Sequence, residues 1–198
     1  MKAAREARIL PRRLLAWYDR HGRKALPWQR SRDPYRIWLS EIMLQQTQLA
    51  TVIPYFERIL KRFPDIQTLA RAKLDSVLHH WTGLGYYARA RNLKKAAQTI
   101  LREHDGRFPR DIEAVSELPG IGRSTAGAIL AFAFGQRHPI LDGNVKRVLT
   151  RLHAIDTPVA QRETEATLWN LADRYTPQTR IAEYTQAIMD LGATLCRP

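Results

Sequence analysis

Across residues 35–196 apolar side chains recur at spacings of three and four, with no sustained alternation of period two. A chain written this way buries its apolar surface by packing amphipathic helices on one another. No pair of strand-like runs flanks a tight turn, so the fold class is all-α. Pro11 stands at a favoured first-turn position and opens one helix, and Gly22 closes it. Helices are predicted over 35–50, over 51–62 (ended by Pro64), and over 86–104, 111–117, 144–153, 161–175 and 177–196. Asp65 and Asp75 sit in the N-cap regions of two short helices. Loops are short, and neither a low-complexity linker nor a solenoid repeat divides the chain. With 198 residues, 44% of them hydrophobic, the chain supports one core, or two lobes that share the chain discontinuously.

Lys and Arg number 32 against 19 Asp and Glu, a formal net charge of +13 distributed along the whole chain. An excess of this size speaks of partners, and phosphate neutralisation is its usual use. The alternative is a basic protein with no nucleic-acid partner. No stretch is long and apolar enough to cross a bilayer. The N-terminal MKAAREARILPRR lacks the apolar run and cleavage site of a secretory signal. One cysteine excludes internal disulfides and fits a reducing compartment. A cytoplasmic protein, nucleoid-associated if bacterial, is expected.

LPGIGRSTAGAIL, residues 118–130, sets Gly120 and Gly122 directly before a helix. Free amides there, with the positive end of the helix dipole, make a seat for a phosphate. The same glycines also suit a plain tight turn between two helices. In PILDGNVKRVL, residues 139–149, Asp142 or Asn144 is placed to cap the next helix. A carboxylate at a helix N-terminus also stays ionised, as support for a developing cation requires. Glu41, in YRIWLSEIMLQQTQ, has Ile37, Trp38, Leu44 and Gln45 one turn away. It is either a residue of the helix's polar margin or a buried acid with a raised pKa, suited to general acid catalysis.

The hairpin Leu118-Pro119-Gly120-Ile121-Gly122 resembles that of the helix–hairpin–helix DNA glycosylase superfamily. WLSEIMLQQTQ, LPW at 26–28, WTGLGYYARARNL at 81–93 and LDGNVKRVL at 141–149 resemble its MutY-type adenine DNA glycosylase branch. The match covers nearly the whole chain. The resemblance implies a two-lobed fold with its active site in the cleft between lobes. A six-helix lobe over 26–136 would carry the hairpin, and 1–25 with 137–198 would form the second.

The implied reaction is removal of adenine mispaired with 8-oxoguanine or guanine in double-stranded DNA, by a monomer. Glu41 would protonate adenine N7 and then assist water. Asp142 would stabilise the sugar cation, and Asn144 would hold Asp142. Gly120, Gly122, Arg89 and Arg91 would meet DNA phosphates, with Lys94 and Lys95 as further partners or a solvated face. Gln46, with Gln45 and Gln48 beside it, would enter the base stack, and Tyr86 would wedge near the partner base. Leu26, Trp28 and Gln29 would line the adenine pocket, and Gln186 would read a base edge. Core packing is the alternative for Trp28, Tyr86 and Tyr87. Ser124 stands where strand-cleaving relatives place a Schiff-base lysine, which implies a monofunctional enzyme. Ser124 would instead bind a phosphate or Asp142, or be an ordinary helix-start serine. Lys146, one turn past Asp142, is given no catalytic role.

Cys196 falls at the first ligand position of the family's [4Fe–4S] loop. The cluster needs four thiolates and the chain holds one. A full-length relative would carry the cluster, which this chain alone would not assemble. The family's C-terminal 8-oxoguanine recognition domain is likewise not expected within these 198 residues. Two other readings stay open: an endonuclease III-like glycosylase and lyase for oxidised pyrimidines, and a DNA-binding fragment without catalysis.

Overall fold

The computed structural model describes residues 2–197. Among them are eleven α-helices, one 3-10 turn and no strand, the all-α class read from the sequence. The helices are α1 (Lys2–His21), α2 (Pro34–Leu44), α3 (Leu49–Arg62), α4 (Ile66–Arg71), α5 (Leu74–Trp81) and α6 (Ala88–Glu103). Then come α7 (Ile112–Glu117), α8 (Arg123–Phe134), α9 (Gly143–Leu152), α10 (Arg162–Tyr175) and α11 (Ile181–Thr194), and the 3-10 turn spans Pro27–Arg30.

Four helices begin on an aspartate whose side chain accepts a backbone N–H. Asp33 accepts from Tyr35 at 3.0 Å, Asp65 from Thr68 at 2.7 Å, Asp111 from Ala114 at 3.0 Å and Asp142 from Val145 at 2.8 Å. Each such cap stabilises its helix by about 1 kcal/mol. Asp75 lies inside the first turn of α5, whose N-cap is Lys73.

Two helix boundaries differ from the sequence expectation for tertiary reasons. Helix α1 begins at Lys2, so Pro11 is interior and buried, and its missing N–H removes one ladder bond. Packing of the Leu14, Leu15 and Tyr18 face against α10 and α11 outweighs that loss. The continuous helix expected over 35–50 breaks after Leu44. Gln46 adopts φ +57, and α3 restarts at Leu49.

The chain divides into two compact units, Ala25–Ile129 and Met1–Lys24 with Leu130–Pro198, with the division falling inside α8. In the first unit α6 receives α2, α4 and α5, and α3 packs on α2 and α5. Trp38, Trp81, Phe56, Phe63, Ile42 and Met43 form its fully buried centre. The Tyr35 hydroxyl donates to the Phe63 carbonyl at 2.6 Å, satisfying a buried group. In the second unit α9 and α11 pack closely, and α1 lies against α10 and α11. A Cβ on Gly192 would stand 2.6 Å from the Asn144 Cβ and 2.8 Å from its carbonyl oxygen. Only glycine permits that approach of α11 to the start of α9.

Candidate functional site

The hairpin between α7 and α8 assigns its glycines different work. Gly120 has φ +82, and a Cβ there would lie 2.9 Å from the Asn92 Cβ, so the bend and its packing on α6 both demand glycine. At Gly122 a Cβ would meet nothing within 4 Å. Gly122 is exposed directly ahead of α8. Of the two readings of these glycines, a phosphate seat and a tight turn, the bend itself requires glycine at Gly120, while Gly122 is open to approach. Ile121 and Leu118 anchor the hairpin in the core. Ser124 is the second residue of α8 and half-buried.

Glu41 sits mid-helix on α2, half-buried, with Ile37, Trp38, Ile42 and Met43 buried around it. One turn later the chain leaves the helix. Gln45 donates from Nε2 to the Gly120 carbonyl at 3.3 Å, tying this turn to the hairpin, and Gln46 is exposed. A second turn, Gly83-Leu84-Gly85, has φ +102 at Gly83 and +70 at Gly85. It presents Tyr86 at φ +47 and 62% exposed. The core alternative for Tyr86 therefore does not hold, and Tyr87 is exposed as well.

Several residues expected to face a ligand are engaged inside the protein. Arg89 is 9% exposed and donates to carbonyls of both turns rather than waiting for a phosphate. Burial pulls its pKa below the ordinary arginine value. Lys94 donates from Nζ to the Ala70 carbonyl at the end of α4, at 3.1 Å, and its burial lowers its pKa through desolvation. Arg91 and Lys95 are exposed. Leu26 and Trp28 are buried, with Trp28 edge-on to Phe56 at 5.3 Å between ring centres. The Gln29 side chain turns back to accept the Leu26 N–H at 3.1 Å.

In the second unit Asp142 both caps α9 and is held by it. Oδ1 accepts from the Val145 N–H at 2.8 Å, and Asn144 Nδ2 donates to Oδ2 at 3.3 Å. Asn144 is oriented in turn by Arg147, whose Nη2 donates to its Oδ1 at 2.8 Å and to the Gly192 carbonyl at 2.6 Å. The expectation that the helix end simply keeps Asp142 ionised needs amending. Desolvation is the largest influence and raises its pKa, against the bonds from Val145 and Asn144 and the Arg147 charge. Lys146 pairs with Glu165 at 2.8 Å.

Gln186, expected to read a base edge, is buried and donates from Nε2 to Asp190 Oδ1 at 2.9 Å. Asp190 is 1% exposed and also accepts from the Arg23 backbone N–H at 2.8 Å and guanidinium at 2.6 Å. Cys196 Sγ accepts from Arg151 Nη1 at 3.2 Å, and its carbonyl accepts from Arg147 Nε at 2.5 Å. These 198 residues hold one thiol, which does not fit a cubane cluster's need for four. No helix among the described residues is long and apolar enough to cross a membrane.

The helix–hairpin–helix and the aspartate that follows it lie within residues 39–174. That span matches the family model described as HhH-GPD superfamily base excision DNA repair protein. The chain belongs to the HhH-GPD superfamily. Within it, the chain is 46% identical over 188 residues to the adenine DNA glycosylase of Buchnera aphidicola subsp. Acyrthosiphon pisum (strain APS), covering 95% of this chain and 54% of that one. It is 44% identical over 194 residues to the adenine DNA glycosylase of Homo sapiens, covering 93% of this chain and 35% of that one. The chain thus spans about half the length of the bacterial relative. A thermostable thymine-DNA glycosylase shares the fold, with TM-score 0.86 at 24% identity over 98% of this chain and 89% of that one. Endonuclease III in a non-covalent DNA complex follows at TM-score 0.79 and 22% identity, over 98% of this chain and 87% of that one.

Nothing in the sequence marks the inward roles of Arg89, Arg147 and Asp190. Each is a charged residue at helical spacing, indistinguishable by type from solvated neighbours such as Arg91 and Lys95.

Proposed function

We propose that the chain is the catalytic part of a monofunctional DNA glycosylase that removes adenine mispaired with 8-oxoguanine or guanine. The identity to adenine DNA glycosylases, 46% across 95% of this chain for the bacterial relative, carries this reading. The target base must leave the stack to be reached. Gln46 and Tyr86, both exposed on turns, are the groups proposed to take its place. The hairpin amides at Gly122 and the start of α8, with Arg91 and Lys95, hold phosphates.

Glu41 transfers a proton to adenine N7. The C1′–N9 bond then breaks with its electrons passing to the base, leaving an oxocarbenium-like sugar. The Asp142 carboxylate stabilises that cation, oriented through Asn144. Water adds at C1′ and returns a proton to Glu41, in the manner of paired-carboxylate sugar hydrolysis. Ser124 has a hydroxyl where an imine needs an amine, so the product is an intact abasic strand.

The test uses duplexes with adenine opposite 8-oxoguanine, and separately with an oxidised thymine, with and without hot alkali. Alkali-dependent cleavage at adenine is the expected result. Alkali-independent cleavage at the pyrimidine identifies a lyase of the endonuclease III kind and overturns the reading. Binding without any cleavage overturns catalysis by this chain. In the active case Glu41→Gln and Asp142→Asn each abolish excision while duplex affinity stays within a few-fold.

A further inference from the structure

Two turns of the Ala25–Ile129 unit share an unusual pair of features. Each presents an exposed non-glycine residue at positive φ, Gln46 at +57 and Tyr86 at +47. Bulky residues persist in that conformation only where their surroundings over-determine it. Here the surroundings converge on one side chain. Arg89 Nη1 donates to the carbonyls of Ile42 at 3.2 Å, Met43 at 2.7 Å and Gln45 at 2.5 Å. Arg89 Nη2 donates to the carbonyls of Leu84 at 3.1 Å and Gly85 at 3.3 Å, and to the Thr47 hydroxyl at 2.9 Å. Its guanidinium lies 5.4 Å from the Trp81 ring and 5.5 Å from the Tyr86 ring.

The chemistry suits arginine and no other residue. The carbonyls of Ile42 and Met43 belong to the last turn of α2, which has no continuing helix to satisfy them. A cation there also meets the negative end of the helix dipole. Five of the six acceptors are backbone carbonyls, so main chain rather than side chain is being held. They come from two segments some forty residues apart in sequence, and a rigid planar fork reaches both at once. Lysine carries the same charge but one nitrogen with three donors. Trp81 Nε1 adds a bond to the Gly85 carbonyl at 3.1 Å, bracing the second turn from the other side.

We propose that Arg89 is a positioning residue that joins turn 45–48 and turn 82–87 into one rigid unit, so that Gln46 and Tyr86 move, or stay, together. What the two side chains do to DNA rests on the function proposed above; the joining of the turns does not.

Hydrogen exchange of backbone amides in the full chain tests the joining directly. In Arg89→Lys, exchange at both turns accelerates at least tenfold, while amides of α10 keep their parental rates. Exchange within twofold of the parent at either turn overturns the proposal, as does equal acceleration in α10, which marks general unfolding. Should Arg89→Lys not fold, Thr47→Ala carries the test: a smaller acceleration shared by both turns supports it, and one confined to 45–48 overturns it. A second readout separates this idea from the proposed function. A duplex with 2-aminopurine in place of the target adenine, opposite 8-oxoguanine, brightens when the base unstacks. The parent brightens on binding and Arg89→Lys loses most of that signal. A parent that binds without brightening overturns the base-flipping reading, and the exchange rates still decide whether Arg89 joins the turns.

Discussion

Gly120 and Gly122 stand two positions apart and separate the demands of folding from those of a ligand. At Gly120 an added methyl meets both a positive φ and the Asn92 side chain. Gly120→Ala is therefore destabilising by about 1–3 kcal/mol, read as a lowered urea midpoint with unchanged slope. Gly122→Ala is expected to leave that midpoint nearly in place and instead to weaken duplex binding, because its methyl would occupy the space where a phosphate is proposed to sit. A Gly122→Ala variant with parental affinity removes this amide seat from the interface. Asp142 poses a related conflict. Its pKa is raised by burial, so the native state holds its proton more tightly than the unfolded chain does. That contribution to stability is complete below about pH 4, the ordinary aspartate range, and is lost as pH rises through the native pKa. Asparagine keeps an oxygen to cap α9 and carries no charge. Asp142→Asn should thus gain thermal stability relative to the parent at neutral pH, with the difference shrinking as pH falls toward 4. A difference that grows on acidification contradicts this account.

Individual helices are held by contacts that their own sequences do not announce. The approach of α11 to α9 depends on Gly192, and Arg147 closes the same contact by donating to the Gly192 carbonyl and to Asn144. A methyl at Gly192 has backbone atoms of Asn144 at 2.8 and 2.9 Å, which no side-chain rotation can relieve. Gly192→Ala is expected to destabilise the chain by about 2 kcal/mol or more. It should also move Asn144 relative to Asp142, so excision falls further than stability does at a temperature where the variant is folded. Equal excision rates for parent and variant would show that Asn144 is not needed to orient the carboxylate. The break after α2 teaches the same lesson. One helix is expected over 35–50, but it ends at Leu44, where Arg89 donates to the Met43 and Gln45 carbonyls.

The whole chain carries a formal net charge of +13. If its partner is duplex DNA, affinity must fall with salt as condensed counterions are released. Arg89 and Lys94 are buried and contribute little to that count. Binding that uses Arg91, Lys95 and a handful of other exposed cations predicts a log–log salt slope of about −4 to −6, corresponding to roughly five to seven phosphates. Fluorescence anisotropy from low to moderate salt measures it, and a slope near zero argues against phosphate-dominated binding.

The sequence by itself determined what depends on near neighbours. Helical period set the class, Asp65 and Asp142 marked two helix starts, and long ungapped motifs around Glu41, the hairpin and Asp142 pointed to the family. Tyr86 was legible too, because glycines on the preceding turn present it outward. Tertiary structure alone decided which polar residues face inward. Arg89 meets carbonyls more than forty residues away, Gln186 meets an aspartate that Arg23 also holds, and Gly120 packs on Asn92. A charged or amide side chain on a helix looks the same whether solvent or a distant carbonyl awaits it. Its role is settled by desolvation and by geometry, and both are properties of the folded chain.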